Sequence, residues 1–287
     1  MQKTSDRSLV AGGAWRQPSV YPTQPNVVVR CARAVVALLP LVAIATGCVT
    51  NPVTGRSSLN YFSADQDVQL GSEAFAEIKA DPRIVKSGPQ KAMVERCVQR
   101  LIAAIPAGQD PGYAWEVVVI DDDATVNAFA LPGGKMAVYT GILPICQDET
   151  GLAVVMGHEI GHVTARHGTS RVSSQMSVSA PAALISSWLG GDPEATNYLL
   201  GIVADLGLKA YGRGDESDAD HTGLIYMARA GYDPREATAF WGRMAQLGGG
   251  GPPEFLSTHP SHETRVERLT ELMPEALAIY QGGSTAP

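Results

Sequence analysis

"VVMGHEIGHVTARHG", residues 154–168, is the stretch on which the reading of this chain turns. Val155, Met156, Ile160 and Val163 form, with Leu152, one apolar stripe at helical spacing. His158 and His162 lie one turn apart beside that stripe, and Glu159 adjoins them. Two imidazoles so placed can reach one tetrahedral ion, and the glutamate between them can take a proton from a water. Gly157 and Gly161 share another face. Glycine inside a helix costs about 1 kcal/mol against alanine, so the pattern predicts a second backbone packed closely there. His167 falls on the core side, away from the pair, and reads as a buried or capping histidine. H-E-x-x-H is short and arises by chance in unrelated helices, so a third ligand must come from elsewhere.

An extended H-E-x-x-H-x-x-G-x-x-H site is excluded, because Ala165 and Gly168 stand where its glycine and third histidine would be. Downstream, "GRGDESDADHTG" (212–223) sets Glu216 and Asp220 four apart, on one face of a predicted helix. Glu216 is the candidate carboxylate ligand. Asp220 can accept the outer N–H of a ligating histidine and so set its tautomer. Acidic residues also suit a helix start for dipole reasons alone; the histidine motif favours the ligand reading.

Around these motifs the pattern is α+β, mostly helical, with a small sheet. Ser63 and Gln66 form a capping-box pair opening a helix to about residue 80. A second helix is predicted over about 89–105, and "WEVVVI" (115–120) reads as a buried strand. "TVNAFAL" (125–131) and "KMAVYTG" (135–141) read as strands joined through Pro132-Gly133-Gly134. From Glu149 onward the pattern turns helical, broken at 190–193, at Gly231 and Pro234, and at "GGGGPP" (248–253). Closing helices are predicted over 261–271 and 274–280. Residues 169–211 read as a helical hairpin covering the cleft.

Apolar residues make up 45% of the 287 and charged residues 18%, a globular balance. The net charge of −7 speaks against nucleic acid as a partner. No uncharged apolar run long enough to span a membrane follows residue 48. "RCARAVVALLPLVAIATGC" (30–48) has a basic flank, a short apolar core and small residues, the layout of a secretory signal. With the cysteine directly after, it resembles a bacterial lipoprotein signal in which Cys48 is lipidated, departing from it at Ala45, where leucine is commoner. Residues 1–26 fit neither form, and a start at Val27, Val28 or Val29 would leave a signal of ordinary length. The chain therefore divides into a signal region (1–47), a lipidated tether (48–62) and one domain (63–287). Removal of residues 1–47 takes away five basic residues and one acidic one, moving the net charge from −7 to −11. Such a body is held at an anionic membrane by lipid, not by charge. Cys97 and Cys146 could pair in an exported protein or remain two buried thiols.

"HEIGHVTARH" (158–167) followed by "GRGDESDAD" (212–220) resembles the gluzincin metallopeptidases of the CAAX-prenyl-protease and Oma type, peptidase family M48. "NPVTGRSSL" (51–59), "NAFALPGGKMAVYTGIL" (127–143) and "STHPSHETRVERL" (257–269) agree, so the resemblance covers about residues 50–272. It implies a zincin fold, one zinc per chain held by His158, His162 and Glu216, and Glu159 as general base. It also implies that the strand Asn127, Ala128, Phe129, Ala130 presents a sheet edge to extended substrate, although a plain structural hairpin would read the same way. In some relatives the histidine of the T-H-P motif, here His259, approaches the zinc and can occupy its open position, as a fourth ligand or gate; otherwise His259 only precedes a helix. The resemblance is nearest to soluble periplasmic lipoprotein members. The spans of membrane-embedded members are missing, and so is the C-terminal helical-repeat domain of some periplasmic ones. The expected function is a zinc endopeptidase on the periplasmic side of a bacterial membrane, the outer one by preference, acting on unfolded or misassembled envelope proteins. The competing expectation is a lipid-anchored chaperone-like or binding protein whose zinc is structural. Glu159 favours the enzyme, since a structural site has no use for it.

Overall fold

Ser63 caps the first long helix as its spacing predicts: Gln66 N–H donates to Ser63 Oγ (3.3 Å) and Ser63 N–H to Gln66 Oε1 (2.6 Å). That helix is α1 (Ala64–Lys79); α2 (Pro89–Ala103) follows, opened by a proline whose missing N–H costs nothing there. The computed structural model describes residues 47–179, 181–204, 210–247, 253–259 and 264–282. Residues 1–46 of the signal region read at 1–47 lie outside them, as does residue 261, where a closing helix is expected to begin. No helix among the described residues is long and apolar enough to cross a membrane.

The expected sheet forms from β3 (Glu116–Ile120), β4 (Ala128–Leu131) and β5 (Lys135–Tyr139) in the order β3-β5-β4. β3 runs parallel to β5, with Val118 opposite Ala137, and β4 antiparallel to it, with Ala130 opposite Met136. The turn between β4 and β5 uses Gly133 and Gly134 at φ 72° and 81°. A side chain at Gly133 would also strike the Val68 backbone at 2.7 Å, so the turn sits directly on α1. The outer edge of β3 is occupied, because Val85 N–H donates to Val119 O (2.9 Å) and Asp121 N–H to Arg83 O (2.9 Å). Tyr139 N–H donates to Asn127 O (3.0 Å), which turns the backbone groups of Asn127, Phe129 and Leu131 toward β5. Those of Ala128 and Ala130 therefore face the outer edge.

After a short turn of helix, α3 (Leu143–Cys146), comes α4 (Glu149–Thr164), whose cap Asp148 accepts from Thr150 N–H (2.8 Å) and Gly151 N–H (3.0 Å). The single apolar stripe predicted for it is an underestimate, since every residue from Gly151 to Thr164 is buried. Helix α8 (Arg213–Arg229) crosses it where the glycines lie. A Cβ at Gly161 would stand 2.9 Å from Ala219 O, and one at Gly223 would stand 2.7 Å from the Gly157 carbonyl carbon. The close second backbone that Gly157 and Gly161 predict is thus α8.

Between them lie α5 (His167–Ser179), α6 (Pro181–Leu189) and α7 (Pro193–Ala204). Within the segment expected to cover the cleft, α7 packs on α1, and Tyr211 at its end reaches the ring of His162. Trp188, Leu199 and Val203 join Phe62, Leu70 and Phe75 in a second, smaller core. The larger core unites α2, α4 and α8 with α9 (Glu236–Ala245), α10 (Glu254–Thr258) and α11 (Arg265–Gly282). The two closing helices expected are one in the described residues, with Pro274 inside it. Cys97 and Cys146 are both buried and unbridged, and burial pushes the Cys97 thiol up to about 12.

Residues 48–62 are not a slack tether. β1 (Cys48–Thr50) pairs antiparallel with β2 (Ser57–Leu59), and this hairpin is docked on the body through the buried Asn51 and Asn60. Its turn residues read as linker because their partners, on α5 and α8, lie more than a hundred positions away in sequence.

Candidate metal centre

His158 and His162 leave α4 toward the side on which α8 begins, and the glycine-lined crossing brings Glu216 opposite them. His158 Nε2 lies 3.1 Å from His162 Nε2. Glu216 Oε1 is 3.4 Å from His162 Nε2, and Oε2 is 3.5 Å from His158 Nε2. His259, at the end of α10, brings Nδ1 to 3.1 Å from His158 Nε2 and 3.1 Å from Glu216 Oε1. Candidate ligand atoms of all four buried residues lie within 4.8 Å of one another. A tetrahedron with zinc–ligand bonds of roughly 2.0–2.1 Å has edges of about 3.3 Å. The spacing and the nitrogen–oxygen donor set therefore fit one zinc ion.

The electrostatics follow from burial among opposed charges. Burial works against a charged His158, but Glu216 and Asp220 outweigh it and raise its pKa. Burial depresses His162 well below its ordinary value. Burial also pushes the Glu216 carboxyl upward, yet His259 and His158, with hydrogen bonds from His162 and His259, hold it well below the usual carboxylate range. Glu159 goes the other way: burial raises it, and the nearby His259 and His158 only moderate the effect. Its Oε1 is buried without a hydrogen-bond partner, 3.3 Å from His259 Nε2 but out of line for a bond, while the Ala130 backbone N–H reaches its carboxylate.

Asp220 stands where its spacing predicts, Oδ1 2.9 Å from His158 Nδ1. Its Oδ2 accepts from Arg265 Nε (2.7 Å). Arg265 also donates to Glu216 Oε2 and, at 3.4 Å, to His259 O, and its guanidinium lies 3.9 Å over the Trp241 ring. Sequence reasoning passed over this arginine, although it lies inside the stretch 257–269. The one available signal was an arginine six residues after His259. It also passed over Tyr211, whose ring stacks on His162 at 3.9 Å and 23°. His167 is buried and is not among the converging donors; its Nδ1 lies 2.9 Å from His162 Nδ1, behind the site.

The strand Asn127–Ala130 runs beside Glu159, and α10 is pinned at its start. Phe255 N–H donates to Val126 O (3.0 Å), and Asn127 Nδ2 to Glu254 Oε1 (3.3 Å). Thr258 O accepts from Tyr211 N–H (3.1 Å). The short helix carrying His259 is thus tied to the same strand whose outer edge Ala128 and Ala130 present.

By architecture this is a metallopeptidase, with a buried carboxylate set against converging metal donors and a strand edge alongside. Residues 89–273 match the family described as Peptidase family M48, and the chain belongs to that family. It is 35% identical over 230 residues to the mitochondrial metalloendopeptidase OMA1 of Schizosaccharomyces pombe, covering 78% of this chain and 66% of that protein. To the OMA1 of Saccharomyces cerevisiae it is 33% identical over 248 residues, 80% of this chain and 70% of that one. To the β-barrel assembly-enhancing protease of Escherichia coli it is 27% identical over 238 residues, 78% of this chain and 47% of the relative. The chain thus spans from about half to 70% of the length of these relatives.

Proposed function

We propose that this protein is a zinc-dependent endopeptidase carrying one zinc per chain, and that it cleaves unfolded or misassembled proteins in the bacterial cell envelope. The observation that carries the reading is the convergence of His158, His162, Glu216 and His259 beside the buried, half-unpartnered Glu159. His158, His162 and Glu216 are the proposed ligands, with Asp220 orienting His158. Zinc, when bound, polarises the scissile carbonyl and lowers the pKa of a water. Glu159 takes the proton of that water and passes it to the leaving amine, a role suited to a carboxylate whose pKa burial has raised. In the strand Asn127, Ala128, Phe129, Ala130, the outer edge at Ala128 and Ala130 offers backbone groups to an extended peptide. Such strand addition grips main chain rather than particular side chains, which suits unfolded substrates. Lipid on Cys48 would hold the enzyme on the periplasmic side of the membrane, most simply the outer one, and no nucleic acid is involved. The name of the E. coli relative, which ties that protein to β-barrel assembly, supports an envelope setting; the OMA1 relatives are mitochondrial.

One observation favours a second reading. With His259 counted, four protein ligands close the site, as in structural zinc sites of binding or chaperone-like proteins. Zinc analysis and casein digestion, comparing wild type with Glu159→Gln, separate the two. The enzyme reading expects one zinc in both proteins and a cleavage rate lowered by about 10²–10⁴ in the variant. Equal cleavage by the two proteins would remove Glu159 from the mechanism. Zinc-loaded wild type without proteolysis would favour the structural site.

A further inference from the structure

The two histidines of α4 are backed in different ways. Behind His158 stands a carboxylate, Asp220, gripped by Arg265. Behind His162 stands another imidazole, with the two Nδ1 atoms 2.9 Å apart. A neutral imidazole donates from one nitrogen and accepts at the other, so only one proton can lie between these two. For His162 to present the lone pair of Nε2 to the converging donors, its proton must sit on Nδ1. His167 must then accept on Nδ1 and carry its own proton on Nε2. That nitrogen faces Asp218 Oδ2 at 3.7 Å and Asp215 Oδ1 at 4.0 Å. A single arginine holds both carboxylates: Arg56 donates from Nε to Asp218 and from Nη2 to Asp215. Arg56 lies in the turn between β1 and β2, eight residues after Cys48.

The hairpin is fastened well enough to hold that arginine in place. Asn51 Nδ2 donates to Thr222 Oγ1 on α8 (3.3 Å), and Asn60 Nδ2 to Thr169 Oγ1 on α5 (2.9 Å). Ser58 Oγ and Ser170 Oγ share a hydrogen bond of 2.9 Å. The guanidinium passes over Gly214, where even a Cβ would come to 3.3 Å. The hairpin thus bridges the helix that begins with His167 and the helix that bears Glu216, Asp215 and Asp218.

We infer that Arg56, Asp218 and His167 act in series to set the tautomer and orientation of His162, so that the hairpin following Cys48 is part of the metal centre. This rests on the zinc reading of the site. Without a carboxylate aimed at Nε2, His167 loses the interaction that favours a proton there. In its other tautomer it donates into His162 Nδ1 and leaves the His162 proton on Nε2, where it blocks ligation. The carboxylate at the far end also makes His162 a stronger donor, as outer-shell acids do for metal-bound imidazoles. Arg56 is a positioning residue acting through two others. Clipping or displacing the hairpin that carries it would loosen a ligand that the hairpin never touches.

The test is zinc affinity of the full protein, measured by competition with a chromophoric chelator at fixed pH. Arg56→Met and His167→Phe are each expected to weaken zinc binding about 10–100-fold, the usual cost of losing an outer-shell partner. Arg56→Lys should recover part of the loss, because one cation can still hold Asp218. Since the groups act in series, the double variant should bind little worse than His167→Phe alone. Arg235→Met, which removes an exposed arginine outside the hairpin and the relay, should bind zinc as wild type does. Imidazole nitrogen NMR of the zinc-loaded protein should show protons on His162 Nδ1 and His167 Nε2 in wild type, and a shifted His167 Nε2–H signal in Arg56→Met. If His167→Phe does not fold, the half-exposed Arg56 variants carry the test alone. Zinc affinities within about threefold of wild type, or losses that add fully in the double variant, would overturn the relay. Wild type that binds no zinc would instead overturn the reading beneath it.

Discussion

Arg265 shows how much a single residue contributes here that is invisible in the motifs. It is 2% exposed, and it divides its donors between Glu216, a proposed ligand, and Asp220, the partner of His158. Removing one member of a buried, hydrogen-bonded charge group strands the others and typically costs about 3–5 kcal/mol. Arg265→Met is therefore expected to destabilise the metal-free protein by about that amount in urea titration, and bound zinc should offset part of the loss by neutralising Glu216. A destabilisation below about 1 kcal/mol would show that the carboxylates find other partners. The residues legible in advance, His158, Glu159, His162 and Glu216, are those whose relation is carried by spacing on one helix or by a second acidic helical face. Arg265, Tyr211 and the Arg56 side chain meet the site only through tertiary packing, so no local period announces them.

Among the elements, α4 explains why the helical pattern was readable and its environment was not. The glycine pair at 157 and 161 correctly predicts a close crossing, because only a backbone at contact distance justifies two glycines inside a helix. Full burial was hidden because small and histidine residues on the remaining faces look polar or neutral while packing against α8 and the metal donors. The same helix is anchored at its N-terminus by Glu149, which accepts from Arg96 Nε (2.7 Å) and Tyr232 Oη (2.6 Å). Burial pushes the Glu149 carboxyl up, but these hydrogen bonds and the charges of Arg96 and Arg100 bring it below its ordinary value. A carboxyl lowered in the folded state contributes stability above its unfolded pKa, about 4.3, and loses it as the pH falls through the folded value. Glu149→Gln should therefore melt at a lower temperature than wild type at neutral pH, and the two melting curves should converge as the pH falls below about 4. A difference that persists unchanged at low pH would mean that the glutamate contributes through packing rather than through its charge.

At the scale of the whole molecule, the His259 segment is tied to the start of the strand that carries Ala128 and Ala130 and brings His259 to the metal donors, a placement that predicts a closed resting state. On the proposed strand addition, a peptide at Ala128 and Ala130 would run past the point where Phe255 N–H holds Val126 O and Glu254 holds Asn127. His259, a few residues further on, holds its Nδ1 3.1 Å from His158 Nε2, where it can serve as a fourth ligand. Occupation of that position by imidazole excludes water from it, and a catalytic zinc site keeps one position open. The segment is short: one turn of helix, held by two hydrogen bonds to the strand region, one from Tyr211 N–H to Thr258 O, one from Arg265 Nη1 to His259 O, the contacts of His259 Nδ1 with His158 and Glu216, and the buried Phe255. Local opening of such a piece is far cheaper than opening of α4 or α8, each buried along most of its length. His259→Ala is therefore expected to keep zinc through His158, His162 and Glu216 while raising basal cleavage of casein, and the gain should shrink for substrates that already displace α10 in wild type. Unchanged cleavage would deny the histidine any hold on the resting site. Lowered cleavage with zinc retained would assign His259 to the reaction itself, where an imidazole beside Glu159 can steady charge developing on the substrate carbonyl.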